Sequence, residues 1–295
     1  MMLTFDFNSP EEEIFYNPFR DLGIRLFFKR DDLIHPFISG NKWRKLKYNL
    51  LKAQQQGKTH LVTFGGAYSN HLLATAAAAA KFNFKTTAFV RGENINNEVL
   101  AMCKLFGMQL NFVDRETYKN KSQLYKQHFS NDALAYFIAE GGAGYEAELG
   151  CREIISELNS YYDHIFCSAG TGTTVAGIIN GLSQQNLNSQ IHAVVALKNG
   201  DFLKHEIDKL LLKPTTYQLH THYHFGGYAK TQATLINFIK DFTSATGILI
   251  DPVYTAKTLY AILDLASKNN FLNGTKILMI HTGGLFGLLG MKEKF

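Results

Sequence analysis

Short apolar runs alternate with amphipathic stretches along most of this chain, and that alternation predicts strands and helices in turn. After a loose N-terminal arm, Ile24–Arg30 reads as a strand. The turn-rich segment 31–36 delivers the chain to Lys42, and a helical pattern runs from Leu46 to Gln56, stopping at Gly57. Strands are then expected at His60–Phe64, Thr86–Val90, Gln109–Val113 and Ala135–Ala139, with helices at Asn70–Asn83, Glu98–Phe106 and Tyr118–His128 between them. Beyond the glycine-rich segment 141–144 come helices at Glu148–Leu158, Val175–Leu182 and Phe202–Leu212 and strands at His164–Ser168 and Ile191–Leu197. Helices near Thr231–Thr243 and Tyr254–Ser267 and a strand at Lys276–His281 complete the pattern. Strand following helix following strand argues for right-handed crossovers and parallel sheets, so the expected class is α/β. No repeat or long linker interrupts it. A boundary at 141–150 and a second crossing near Lys42 divide the chain into a large domain, 1–43 with 149–295, and a small inserted domain, 44–148.

Composition narrows the function classes. Apolar residues make up 46% of the 295 positions and charged residues 19%, ordinary values for a globular protein. The net charge of +5 is scattered, which suits an anionic ligand better than nucleic acid. Met1–Asp6 shows no basic segment leading into an apolar run, so no signal peptide is expected, and no apolar run approaches the length of a membrane span. Cys103, Cys151 and Cys167 are widely spaced in apolar surroundings. They read as reduced, buried thiols of a cytoplasmic protein rather than zinc ligands.

The candidate chemistry lies in four places. Lys42 and Lys45 stand three apart in Gly40-Asn41-Lys42-Trp43-Arg44-Lys45. On a helix they share a face, and each ammonium lowers the pKa of the other, which turns the more buried one into a usable amine. Taken alone, such a pair is better read as a solvated basic helix start, and it is the rest of the chain that raises the catalytic reading. Gly170-Thr171-Gly172-Thr173-Thr174 follows a buried strand and opens a helix, a backbone and hydroxyl cup suited to a phosphate. It has neither the Walker lysine nor the dinucleotide glycine pattern, which leaves a ligand with a single phosphate. Gly65-Gly66-Ala67-Tyr68-Ser69-Asn70-His71 places three hydrogen-bonding side chains, Ser69, Asn70 and His71, at another helix start, where Ser69 also suits an N-cap. Thr282, in His281-Thr282-Gly283-Gly284, ends the last strand and would present a hydroxyl at the sheet edge, or simply turn the chain. A fifth pattern, His220-Thr221-His222-Tyr223-His224, would share one face of a strand as metal ligands do. A histidine-rich surface strand without metal is the reading preferred here.

These motifs, with Asp251-Pro252-Val253-Tyr254-Thr255-Ala256-Lys257, resemble in kind and order the 1-aminocyclopropane-1-carboxylate deaminase and D-cysteine desulfhydrase family, from about Lys29 to Gly287. The resemblance implies a tryptophan-synthase-β-like fold, two open parallel-sheet domains with pyridoxal 5'-phosphate in the cleft between them. It implies that Lys42 binds the cofactor covalently, that Lys45 lies near its phosphate and that Gly170–Thr174 cradle it. Asn70 would bond the ring hydroxyl, and Ser69 would face a small amino-acid substrate. Tyr228 and Tyr254 would be the two active-site tyrosines, and a homodimer is the implied assembly. Deaminases of the family carry glutamate and leucine where this chain has Thr255 and Thr282, as the desulfhydrase branch tends to have hydroxyls. A carboxylate beside the pyridine nitrogen keeps the ring a strong electron sink, whereas a hydroxyl does not. Elimination of a thiolate needs less of that sink than opening a cyclopropane, so the expectation is a D-cysteine desulfhydrase. The deaminase, or a lyase for another D- or β-substituted amino acid, stands as the alternative, and a cofactor-binding protein without catalysis as a further one. Trp43, Ala229 and the bulky approach 34–38 depart from the family pattern and bear on the substrate.

Overall fold

The computed structural model describes residue 3 and residues 5–295. The chain opens with β1 (Glu11–Glu13), α1 (Asn17–Asp21) and β2 (Arg25–Lys29). Then come α2 (Asn41–Gln55), β3 (His60–Gly66), α3 (Asn70–Lys81), β4 (Lys85–Arg91), α4 (Glu98–Leu105), β5 (Gln109–Val113), α5 (Lys121–Phe129) and β6 (Ala135–Phe137). The remainder holds α6 (Tyr145–Ser156), β7 (His164–Ala169), α7 (Thr173–Gln185), β8 (Gln190–Val195), α8 (Leu203–Asp208) and β9 (Gln218–His220). It ends with α9 (Ala233–Thr246), α10 (Thr255–Ser267) and β10 (Lys276–Ile280).

Two sheets result. One is wholly parallel, in the order β5-β4-β3-β6. The other runs β1-β2-β10-β7-β8-β9 and is parallel except for its antiparallel edge strand β1. The α/β class is therefore as expected, with β1 added where the pattern shows only a loose arm. Three glutamates in a row carry no alternation; the strand exists because β2 offers an open edge and Arg25 holds Glu13 with two bonds of 2.8–2.9 Å. Strand β9 is likewise unforeseen, and it ends at His220. His222 and His224 fall in the turns beyond it, so the shared strand face on which the metal alternative rested does not form.

The six-stranded sheet is covered on both faces, which is why its inner strands are apolar without alternation. Along β10, Ile277 and Met279 enter the core under α1, α9 and α10, while Leu278 and Ile280 enter the one under α6 and α7. The smaller sheet packs against the alanine-rich α3 and the apolar side of α2. The two sheets are joined chiefly by α2 against α6, so close that a Cβ at Gly150 would stand 1.9 Å from the Arg44 carbonyl oxygen. Arg44 is itself fully buried there, forked onto Asp31 at 2.8 and 3.1 Å and bonded to Glu157, which also takes Lys29 at 2.9 Å.

Candidate active site

The carboxyl ends of strands from both sheets meet around one cleft, the edge at which open α/β sheets bind ligands. It encloses about 550 Å³, counting its open mouth. Its first wall is the start of α2. This helix begins at Asn41, five positions before the apolar periodicity does, because Gly40 turns the chain directly into it at φ 61°. A Cβ at Gly40 would lie 1.9 Å from the Thr282 carbonyl oxygen, and the Asn41 amide donates to that same oxygen at 3.3 Å. Lys42 thus enters the cleft on a helix pinned to the end of β10. Its ammonium makes no hydrogen bond or ion pair among the described residues. Burial first, and the charge of Lys45 second, bring its pKa from 10.5 down to about 7.

Lys45, one turn on, is buried and donates to the Gly141 carbonyl at 3.3 Å and to the Thr171 hydroxyl at 3.2 Å. It thereby joins the glycine-rich segment after β6 to the cup after β7. In that cup Gly172 is left-handed (φ 78°) and α7 has no side-chain cap, so its first amides are open for an anion. Thr171 and Thr173 hydroxyls stand 3.3 Å apart, and Asn41 donates to Thr174 at 3.0 Å. Thr173 is fully buried behind Thr171, whereas Gly170, Thr171, Gly172 and Thr174 line the cleft.

The Tyr254 ring lies on Gly170, where a Cβ would come within 3.0 Å of it. Burial, and then the neighbouring Tyr228 and Asp251, push its pKa well above 10. Tyr228 is half-exposed and not itself a lining residue, but it packs beside Tyr254, the ring centres 6.1 Å apart. The opposite wall is Asn70, Ser168, Thr282, Gly283 and Gly284, with the Ser168 and Thr282 hydroxyls 3.4 Å apart. No carboxylate is among the residues that line the cleft.

Three expected site residues turn elsewhere. Ser69 serves as the N-cap of α3, accepting from the Leu72 amide at 3.4 Å, and does not line the cleft. His71 is buried behind Asn70, its Nε2 2.7 Å from the Thr63 hydroxyl. Because that hydroxyl donates to the Ile138 carbonyl, Nε2 carries the proton and Nδ1 is a bare, unpartnered acceptor. Burial and the two lysines hold this ring neutral, with its pKa well below 6.5. Thr255 is fully engaged with Asp251, accepting from its amide at 2.7 Å and donating to its carboxylate at 3.0 Å. Sequence reasoning in turn missed Asn41 and Ser168. Asn41 lies inside the Gly40–Lys45 stretch but was given no role, and Ser168 is the penultimate residue of β7, just before the glycine cup.

The family model described as pyridoxal-phosphate dependent enzyme matches residues 14–283. The chain belongs to this family. A Thermotoga maritima protein provisionally named a 1-aminocyclopropane-1-carboxylate deaminase is 31% identical, over 92% of each chain. The bifunctional D-cysteine desulfhydrase/1-aminocyclopropane-1-carboxylate deaminase of Arabidopsis thaliana mitochondria is 30% identical, over 90% of this chain and 74% of its own. The crystal structure of an ACC deaminase homologue superposes with a TM-score of 0.89 at 28% identity, covering all of this chain and 94% of that one. The chain is thus a pyridoxal-phosphate enzyme of the deaminase and desulfhydrase group, with the tryptophan-synthase-β-like fold.

The cleft fits that cofactor. It holds an unpartnered amine titrating near neutrality, a buried second cation and a hydroxyl-and-amide cup, and no carboxylate is among its lining residues. A phosphorylated aldehyde supplies a partner for each. No helix among the described residues is long and apolar enough to cross a membrane.

Proposed function

We propose that this enzyme removes a β-substituent and the amine from a small D-amino acid, D-cysteine before others, giving pyruvate, sulfide and ammonia. The observation that carries the reading is the neutral lining: Ser168 and Thr282 offer hydroxyls, and no carboxylate borders the cleft. The bound cofactor supplies the electron sink that makes the substrate α-proton acidic. With hydroxyls rather than a carboxylate around it that sink is weak, which suits departure of a good leaving group better than opening of a strained ring.

In this reading the Lys42 amine holds the cofactor, and once released its pKa near 7 lets it take the α-proton at neutral pH. Lys45, Thr171, Thr174 and the first amides of α7 bind the phosphate, and Asn70 orients the ring. Tyr254, whose hydroxyl stays protonated, gives a proton to the departing sulfur, with Tyr228 beside it. Ser69 and His71 act through Asn70, which they flank on the same helix start, and Thr255 acts through Asp251. Residues 44–148 form the small domain of this arrangement and 1–43 with 149–295 the large one, a division supported by the separate sheet within 60–137. A homodimer belongs to the same reading.

The test is a paired assay on the purified holoenzyme. Pyruvate and sulfide release from D-cysteine should exceed α-ketobutyrate release from 1-aminocyclopropane-1-carboxylate by tenfold or more in kcat/KM, and Lys42→Ala should abolish both. The reverse preference would make it a deaminase and defeat the neutral-lining argument.

A further inference from the structure

Lys257 is the third residue of α10 and has no solvent exposure. Buried lysines are rare unless paired with an anion, yet this ammonium forms no ion pair among the described residues. Instead it donates to three main-chain carbonyls: His224 at 2.8 Å, Gly227 at 2.9 Å and Ala196 at 3.4 Å. Ala196 continues directly from β8, at the carboxyl end of the sheet. His224 and Gly227 bracket a segment of unusual backbone, in which Phe225, Gly226, Gly227 and Ala229 all have φ between 50° and 120°. Two of these carry side chains, for which the left-handed region is unfavourable, so the segment needs its surroundings to hold it. Tyr228 lies inside this segment, and Tyr254 lies one turn before Lys257 on the same helix start, its carbonyl accepting from the Thr258 amide at 3.1 Å.

We propose that Lys257 is a positioning residue for the elimination: its ammonium, placed where three carbonyls converge, fastens residues 224–229 to β8 and α10 and so sets Tyr228 against Tyr254 beside the cleft. The carbonyl oxygens need a cation between them, because three like-directed dipoles repel when nothing fills the centre. A hydrocarbon of the same length occupies the space but removes the one donor the three share: the His224 and Gly227 carbonyls keep only the Gly227 and Lys230 amides within their own turn, at 3.0 and 3.1 Å, and the tie from that turn to Ala196 is lost. The catalytic consequence rests on the proton-transfer reading of the two tyrosines above, while the structural part does not.

Lys257→Met, which keeps length and loses charge, tests both parts. Hydrogen exchange of the amides in 224–230 should become at least tenfold faster, while the visible absorption of bound pyridoxal phosphate, which depends on Lys42 and the cup, stays unchanged. With whichever amino acid the enzyme turns over, kcat should fall tenfold or more and KM by less than threefold either way. Should Lys257→Met fail to fold, Lys257→Ala is prepared in ammonium chloride, whose ion fits the vacated position. Protection of 224–230 should then rise with ammonium and saturate, with no such rise in tetramethylammonium. Unchanged exchange in the folded variant, or exchange indifferent to ammonium, overturns the proposal. Faster exchange with kcat intact supports the fastening by Lys257 and removes instead the proton-transfer role of Tyr228 and Tyr254.

Discussion

A lysine titrating near 7 is a reactive amine at neutral pH: burial brings Lys42 most of the way there, Lys45 adds its repulsion, and Gly40 turns the chain so that the helix delivers Lys42 to the cleft. The pair and its repulsion were legible from the sequence, because charge and spacing are written there, but the depth of burial was not. Nor was the direction of a side chain. Thr255 looked like a ring-facing hydroxyl by its place in the motif, but Asp251 captures it to close the turn into α10, where four donors converge on one buried carboxylate. Thr282 and the unforeseen Ser168 supply the hydroxyl pair in its place. Tyr254 is the residue whose chemistry the environment defines most sharply. Burial against Gly170 and contact with Tyr228 oppose a phenolate, so its hydroxyl donates across the whole neutral range. Replacing it with phenylalanine keeps the ring on Gly170 and removes only the hydroxyl. Tyr254→Phe should lower kcat by ~10²- to 10³-fold, the range for a lost general acid. The visible band of the bound cofactor should be retained, as stopped-flow and absorption measurements on one preparation would show. A drop in cofactor binding equal to the drop in rate would mean that the hydroxyl holds the cofactor instead.

The larger elements follow the periodicity of the sequence closely because burial drives both, whereas the edge strands depend on partners that the sequence does not show. β1 and β9 have three residues each, too few for a pattern to register, and they exist because β2 and β8 present unpaired backbone. The helix expected over Phe202–Leu212 shrinks to α8, Leu203–Asp208, since the chain beyond it must turn back toward β9. The pairing of β7, β8 and β9 also creates a feature no single segment announces, a ladder of histidines across neighbouring strands. His164 Nδ1 lies 2.9 Å from His192 Nε2, and His192 Nδ1 lies 3.0 Å from His220 Nε2, with Phe166 stacked 4.0 Å from the His192 ring. Such a ladder works with neutral rings, each passing one N–H along, and it has no place for two adjacent charges. Burial, reinforced by the neighbouring histidines, brings the His192 pKa from 6.5 down to about 3, and burial lowers those of His164 and His220. A folded-state pKa below the unfolded one means that the unfolded chain takes up protons first. The stability is therefore fully present above about pH 6.5 and is lost as the pH falls from there toward 3. At pH ~4.5, two units below the unfolded value, His192 alone accounts for ~2–3 kcal/mol. Thermal midpoints of the apoenzyme should decline steeply between pH 6.5 and 4.5, and the decline should be visibly shallower in His192→Leu. An equal slope in the two proteins would place the acid sensitivity elsewhere.

At the scale of the whole molecule, the cleft is where the two sheets meet, and its walls are drawn from both. Asn70 and Gly141 come from the segment that builds the smaller sheet, while Ser168, the cup at 170–174, Tyr254 and Thr282 come from the segments that build the larger one. Lys42 and Lys45 stand on the helix between them. The walls carry two lysines, Lys45 lowering the pKa of Lys42, and no lining carboxylate. In the proposed reading an anion in the cup would offset that repulsion and be held from both sides at once, by Lys45 on one and the α7 amides on the other. Ligand binding to the folded state alone adds RT ln(1 + [L]/Kd), ~2.7 kcal/mol at a hundredfold excess over Kd. For a chain of this length that is a rise of ~5 °C in the thermal midpoint. Lys45→Met should leave the covalent attachment site intact yet weaken cofactor binding by ~10- to 100-fold, the worth of one charge-assisted bond to a phosphate. The apoprotein should behave differently. Removing a buried ammonium that has only two weak neutral partners relieves a desolvation cost and the repulsion on Lys42, so the midpoint of apo Lys45→Met should equal or exceed that of the wild type. The crossing of the two effects, a variant more stable when empty and less stabilised when filled, is the signature that separates an anion clamp from an ordinary core residue. Scanning calorimetry of both proteins with and without pyridoxal phosphate would read it directly, and a variant destabilised equally in both states would assign Lys45 to packing.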